Sequence, residues 1–267
     1  MADLIPREVK RHLAFQRSLS GSWIKRYSYI FLYYLLYAFV GDARALKALR
    51  PLSPAKVKVF LPGGLSLRCS LFDIFIAAKE VLADDIYEKI EDYRPKAGMT
   101  VVDIGAQVGS YTLKAASRGA SVIAVEPFSE SFGLLSLNVS ENRLPVRAVN
   151  AALSDTEGEA ELYLGGESSG SNSLVFARGE SQTVRVTTLD SLLAAAGVAG
   201  ADLLKIDTEG SEFKILKGAE KTLATPGLRI VMELHGEENY REIPAFLERR
   251  GFRIDLKTPV YLYARRP

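Results

Sequence analysis

The run Val101-Val-Asp103-Ile-Gly105-Ala-Gln-Val-Gly109-Ser constrains the chain more than any other stretch. Apolar, β-branched residues from Thr100 to Gly105 predict a strand buried on both faces, and the glycines behind it predict a tight turn into a helix over 109–118. A buried strand that feeds such a turn opens a βαβ unit. The rhythm continues with strand 121–126, helix 130–141 and strand 146–153. It resumes with strand 202–207, helix 212–224, strand 228–235 and helix 243–250. Short strands 252–256 and 259–264 then read as a closing antiparallel hairpin, and 159–164 and 182–188 read as strands between the two halves. The expected fold class is α/β, a doubly wound, mostly parallel, seven-stranded sheet with an N-terminal extension over 1–95 and the main domain over 96–267.

Within the extension, Val57 to Cys69 alternates on both sides of Pro62-Gly63-Gly64, which predicts a β-hairpin. Apolar spacing over 72–92 predicts a helix that stops before Pro95 and Gly98. Residues 22–40 are read as an aromatic helix whose core, 27–40, carries no charge. The uncharged stretch 27–40 would span only about 21 Å as a helix, short of a hydrocarbon core of about 30 Å, so it is expected not to cross a membrane. Residues 1–60 hold 11 Lys and Arg against 3 Asp and Glu, a net +8 within a chain of +2. Three roles are open to residues 20–50: a lid on the main domain, a homodimer interface, or contact with an anionic membrane surface. No apolar stretch with a cleavage site follows Met1, so the protein is expected in the cytoplasm, with peripheral membrane contact as an alternative.

With one cysteine and two histidines, the chain has no zinc-spaced cluster, and Cys69 reads as a buried small hydrophobe. The Gly/Ser stretch 165–173 is either a surface turn or a loop over the mouth of a site.

The spacing Gly105-x-x-x-Gly109 differs from the G-x-G-x-x-G of dinucleotide sites, and Asp103 would repel a pyrophosphate. A ligand that carries ammonium and sulfonium charge suits that carboxylate better. Glu126, behind the apolar strand Val122-Ile-Ala-Val125, stands where an acidic residue takes both hydroxyls of a ribose.

Five further segments join these motifs: Val-Glu-Pro-Phe (125–128), Asn138, Asn-Ala-Ala-Leu-Ser-Asp (150–155), Leu-Lys-Ile-Asp-Thr-Glu-Gly-Ser-Glu (204–212) and Leu-Lys-Gly-Ala (216–219). In this order they resemble the FkbM family of S-adenosylmethionine-dependent methyltransferases, over about residues 80–264. Gln107 departs from the family's usual Asn but keeps the same amide donors and acceptor. The resemblance implies that the loop of Asp103, Gly105, Ala106, Gln107, Gly109, Ser110 and Tyr111 holds the methionine part of S-adenosyl-L-methionine. It also implies that Glu126 holds the ribose and that Phe128, after Pro127, borders the adenine together with Ala152. Phe128 could equally anchor the core.

Asp207 and Glu209 close the fourth strand of the main sheet, and Glu233 and His235 share one face of the fifth. Asp207 therefore counts toward both cofactor and acceptor, and Asp207, Glu209 and His235 are the candidates for taking the acceptor's proton. A metal on those three is the lesser alternative, so the expected site contains none. Lys205 reads as an ion-pair partner. The resemblance implies methylation of a hydroxyl on a small molecule, glycan or lipid headgroup. Nucleic acid is the less favoured acceptor, and a membrane-associated cofactor-binding module without turnover is the alternative outside catalysis.

Overall fold

The computed structural model describes residues 56–70, 73, 81, 85–165, 172–175 and 179–267. The aromatic helix 22–40 and residues 166–171 of the Gly/Ser stretch lie outside the described residues. One compact unit ends at Ile86 and a second runs over Tyr87–Pro267, a division earlier than the sequence boundary at 95/96.

In the first unit, β1 (Lys56–Phe60) and β2 (Ser66–Ser70) form the expected antiparallel hairpin, with Val57 opposite Cys69 and Val59 opposite Leu67. Gly63 and Gly64 turn the chain at φ +81° and +80°, a region that suits residues without a Cβ. Alternation buries Val59, Leu67 and Cys69. Burial, then the charge of Asp73, pushes the Cys69 thiol up, which leaves it unreactive.

The second unit is built on seven strands in the order β11-β12-β10-β9-β3-β4-β5. Five run parallel: β10 (Arg229–Glu233), β9 (Leu203–Ile206), β3 (Thr100–Ile104), β4 (Ser121–Val125) and β5 (Val146–Val149). β12 (Tyr261–Arg265) adds antiparallel to β10, and β11 (Arg253–Lys257) adds to β12, as expected of the closing hairpin. From β3 the chain first builds outward through β4 and β5, then returns to the other flank of β3 as β9. The strand order therefore reverses between β3 and β9, which is where open α/β sheets form their ligand crevice. Helices α1 (Ser110–Ser117), α2 (Ser129–Asn142), α3 (Leu189–Ala196), α4 (Glu212–Lys217), α5 (Glu220–Leu223) and α6 (Glu237–Arg249) connect the strands. Val102, Ile104, Leu204, Ile206, Ile230 and Met232 share one continuous core with the leucines of α3 and α6.

Several boundaries differ from the sequence reading. The expected strand 146–153 breaks at Asn150, whose side-chain amide donates to the Glu126 and Pro127 carbonyls (2.8 and 3.0 Å), so β6 (Ala152–Leu153) leaves for a second sheet. That sheet, in the order β6-β8-β7, contains β7 (Gly158–Tyr163) and β8 (Ser181–Thr187). The expected helix 212–224 splits at Gly218, where a Cβ would stand 2.1 Å from the Ser154 carbonyl oxygen. Helix α3 was not anticipated. α6 starts at Glu237 rather than 243 and carries Pro244 inside it. Of the helix expected over 72–92, Asp73 and Val81 are helical, but from Asp85 the chain turns, and Glu91–Tyr93 is a single 3-10 turn. Among the described residues no helix is long and apolar enough to cross a membrane.

Candidate active site

Glu126, Asp207, Glu209, Glu233 and His235 stand at the carboxyl edges of β4, β9 and β10 or in the turns that follow, and Gln107 stands in the turn after β3. The β3 turn is shaped by close approach. Gly105 and Ala106 both donate their N–H to the Val125 carbonyl (3.0 Å each), and a Cβ on Gly105, at φ +74°, would lie 1.8 Å from the Asp207 carbonyl oxygen. Only glycine fits there. Gly109, at φ +94°, begins α1 against Leu135, and the buried Asn138 of α2 donates to the Val108 carbonyl at 2.8 Å. Gln107 sits at φ +52°, and its N–H donates to Glu126 Oε2 at 2.9 Å.

Glu126 also accepts the Phe128 N–H on Oε1, at 2.9 Å. Burial raises its pKa from 4.5 to about 7, against the pull of those two N–H donors and of Lys205. Each carboxylate oxygen keeps a lone pair for a further donor. Ser110 Oγ and Tyr111 Oη, at the start of α1, are buried without a hydrogen-bond partner among the described residues. Phe128 and Ala152 both join an apolar cluster with Leu162, Val184 and Val186, outside the polar group.

Asp103 meets a cation of the chain itself. It is fully buried and accepts the Thr112 hydroxyl at 2.6 Å, while Lys205 Nζ stands 3.2 Å from its other oxygen. Lys205 also donates to the Gly105 carbonyl at 2.8 Å, so the pair ties β3, β9 and the glycine turn together. Burial pulls the Lys205 pKa down, but the charges of Asp103 and Asp207 outweigh it and raise it overall.

On the β9–β10 side, Asp207, Glu209 and His235 do converge. Asp207 Oδ2 accepts the Tyr87 hydroxyl at 2.7 Å. His235, just beyond β10, has Nε2 at 3.4 Å from Glu233 Oε1 and 3.8 Å from Glu209 Oε1, and its Nδ1–H donates to Glu212 Oε1 at 3.0 Å. Burial lowers the His235 pKa, but the bonds to Glu212 and Glu233 and the charge of Asp207 overcome this and hold it at about 11. The ring is therefore an imidazolium near neutrality. Protonated on both ring nitrogens, it accepts no proton in that state. Asp207, Glu233 and His235 bring one ligating atom each within 4.8 Å of one another, with Glu209 outside that set.

Burial raises Glu209 to about 7, assisted by Asp207, Glu233 and Glu212 and opposed by His235. Its backbone is left-handed, φ +53°, and the Ser173 hydroxyl donates to its carbonyl at 2.6 Å, which ties the end of the Gly/Ser stretch to this turn.

Sequence reasoning missed three participants. Tyr87 was placed within the expected helix 72–92, yet it stacks edge-on between Tyr111 and Tyr261 and meets Asp207. Glu212 lay at the end of a quoted motif without a role. Asn239, which bonds Glu212 Oε2 and the Gly210 and His235 carbonyls, had no sequence signal.

31-O-demethyl-FK506 methyltransferase FkbM of Streptomyces tacrolimicus is 26% identical over 210 residues, 66% of this chain and 80% of that protein. AMB antimetabolite synthetase AmbE of Pseudomonas aeruginosa is 26% identical over 230 residues, 69% of this chain but 11% of that protein, so the chain spans about a tenth of that relative's length. Hexuronic acid methyltransferase AglP of Haloferax volcanii is 23% identical over 145 residues, 54% of this chain and 59% of that one. A crystal structure of methyltransferase FkbM from Methylobacillus flagellatus KT aligns with a TM-score of 0.46 at 17% identity, over 62% of this chain and 43% of that chain. The model of the methyltransferase FkbM domain matches residues 103–254, from the buried aspartate of β3 through both sheet-edge clusters into β11. On that match the chain belongs to the FkbM methyltransferase family, whose methyl donor is S-adenosylmethionine.

Proposed function

We propose that the chain methylates a hydroxyl oxygen on a small molecule, glycan or lipid headgroup. One observation carries this reading: the Glu209 carboxylate, with a proton affinity near neutrality, stands beside Asp207 and His235 at the sheet edge that also carries the glycine turn. A hydroxyl sheds its proton as it attacks, and a carboxylate matched to the working pH takes that proton best.

Bound S-adenosylmethionine supplies an electrophilic methyl group on a sulfonium. Residues of this chain suit it. Glu126 has one spare lone pair on each oxygen for the ribose hydroxyls, and Gly105 lets the turn after β3 pack directly against the Asp207 carbonyl. Ser110 and Tyr111 offer buried hydroxyls that the protein itself leaves unused. Phe128 and Ala152 present an apolar wall for the adenine. Asp103 acts indirectly, by holding Lys205 against the Gly105 carbonyl.

On the acceptor side, Tyr87 fixes Asp207, and Asp207 orients the acceptor or the donor's methionine end. Glu209 would take the proton of the acceptor hydroxyl, leaving its oxygen free to attack a bound methyl donor. His235 serves as a cation that steadies Glu209 and Glu233 rather than as the base. Relatives named for 31-O-demethyl-FK506 and for hexuronic acid support a small-molecule or sugar acceptor.

Incubation of the protein with labelled S-adenosylmethionine and cell extract, followed by separation into lipid, glycan, small-molecule and RNA fractions, tests the reading. Label in one of the first three supports it. Label in RNA, or in no fraction despite cofactor binding, overturns it. For residues 20–50, flotation with anionic liposomes and light scattering separate membrane contact, dimer and lid.

A further inference from the structure

We propose that Glu212 is a positioning residue: its buried carboxylate fixes both the turn that presents Glu209 and the ring of His235, without touching substrate. This rests on the reading of Glu209 as the acceptor-side base.

Four donors converge on Glu212 Oε1. They are the Thr208 N–H (3.2 Å), the Thr208 hydroxyl (3.3 Å), the Gly210 N–H (3.1 Å) and His235 Nδ1–H (3.0 Å). Oε2 accepts the Asn239 amide, and the side chain has no exposure at all. The two backbone donors are the amides on either side of Glu209, so one oxygen grips the turn before and after the residue it displays.

That turn needs holding. Glu209 and Gly210 lie at φ +53° and +112°, and a side-chain-bearing residue stays left-handed only where its surroundings over-determine it. Glu212 opens α4, but its carboxylate folds back over the preceding turn instead of lying along the helix, and Ser211 at the N-cap makes no side-chain capping bond. The same oxygen fixes one ring nitrogen of His235, which leaves Nε2 directed at Glu233 and Glu209. A carboxylate behind an imidazole sets the ring's orientation and charge, as it does in other sites where a histidine must point one way. The charged groups around the ring are Asp207 after β9, Glu209 in the turn, Glu212 on α4 and Glu233 on β10. Glu212 is the fully buried one of these.

Glu212→Gln separates positioning from folding, because the amide oxygen can still accept the two turn N–H groups while the charge is gone. With only two histidines in the chain, NMR titration in a His12→Gln background reads His235 alone. The expected result is that His235 stays protonated well above pH 8 in the parent and titrates at least tenfold more readily in Glu212→Gln. Transfer of label to the accepting extract fraction should fall at least tenfold, while calorimetric affinity for S-adenosylhomocysteine stays within threefold. An unchanged His235 titration in the variant, or cofactor affinity lost in step with transfer, overturns the proposal. If the glutamine variant does not fold, the parent titration decides: a ring that titrates near its ordinary value of 6.5 is not held by Glu212. The titration and the calorimetry need no acceptor, so they stand even if the hydroxyl assignment fails.

Discussion

Two carboxylates with proton affinities near neutrality lie at the sheet edge, and burial is the main cause for both. Glu126 is ionised only above about pH 7 in the ligand-free protein, and ribose hydroxyls that donate to it favour the ionised form. Binding of S-adenosylmethionine should therefore release a proton and tighten as pH rises through 7, with the dependence abolished in Glu126→Gln; calorimetry in two buffers reads both. The same raised value bears on stability. A carboxyl whose folded pKa exceeds its unfolded one contributes fully below about 4.5, and that contribution is lost as pH climbs through 7. The melting temperature of the ligand-free protein should thus fall between pH 5 and pH 8. Glu209→Gln should lower turnover by about 10²- to 10⁴-fold with cofactor affinity nearly unchanged, as removal of a general base does. Gly105→Ala would set a methyl group 1.8 Å from the Asp207 carbonyl oxygen at a left-handed φ. A loss of more than about 2 kcal/mol in denaturant unfolding, together with lost cofactor binding, is the expected outcome.

At the scale of elements, what could be read from sequence followed from burial. Strands β3, β4, β9 and β10 are covered on both faces, so each appears as a largely apolar run, interrupted by Asp103 in β3 and Lys205 in β9. Glu126, Asp207 and His235 lie just beyond β4, β9 and β10, and that place behind an apolar run is what made them legible as candidates. Tertiary contacts set the unread boundaries. Strand 146–153 keeps its apolar pattern through Asn150, and only the amide's bonds to the Glu126 and Pro127 carbonyls divert the chain. Gly218 interrupts a good helical pattern because it packs against Ser154. The helix expected over 243–250 starts six residues earlier, at Glu237, and carries Pro244 in its interior. Asn239 was illegible because its role exists only once α6 packs beside the β9 turn. Asp190 shows the same principle in stability. On α3 it accepts the Lys221 and Thr222 N–H groups at the start of α5, both at 2.8 Å, and the Thr222 hydroxyl at 2.6 Å. Asp190→Ala should cost about 1 to 2 kcal/mol, read by urea unfolding, and leave cofactor affinity intact.

Across the whole molecule, the order β10-β9-β3-β4-β5 explains why residues more than a hundred positions apart share one site. The chain builds outward from β3 on one flank and returns on the other, so the Gly105 turn and Asp207 meet at the point of reversal. In the proposed reading the donor-side groups follow β3 and β4, Glu209 and His235 follow β9 and β10, and Asp207 stands between the two sides. The central claim is that the transferred methyl group ends on oxygen through the Glu209 side of this edge. It is tested most directly by NMR of the product formed from S-adenosylmethionine labelled at its methyl carbon, with the parent protein and with Glu209→Gln. The expected result is the methyl resonance of a methyl ether in the parent and its near disappearance in the variant. A methyl group found on nitrogen or carbon, or an oxygen methyl formed at the same rate by the variant, would contradict the account.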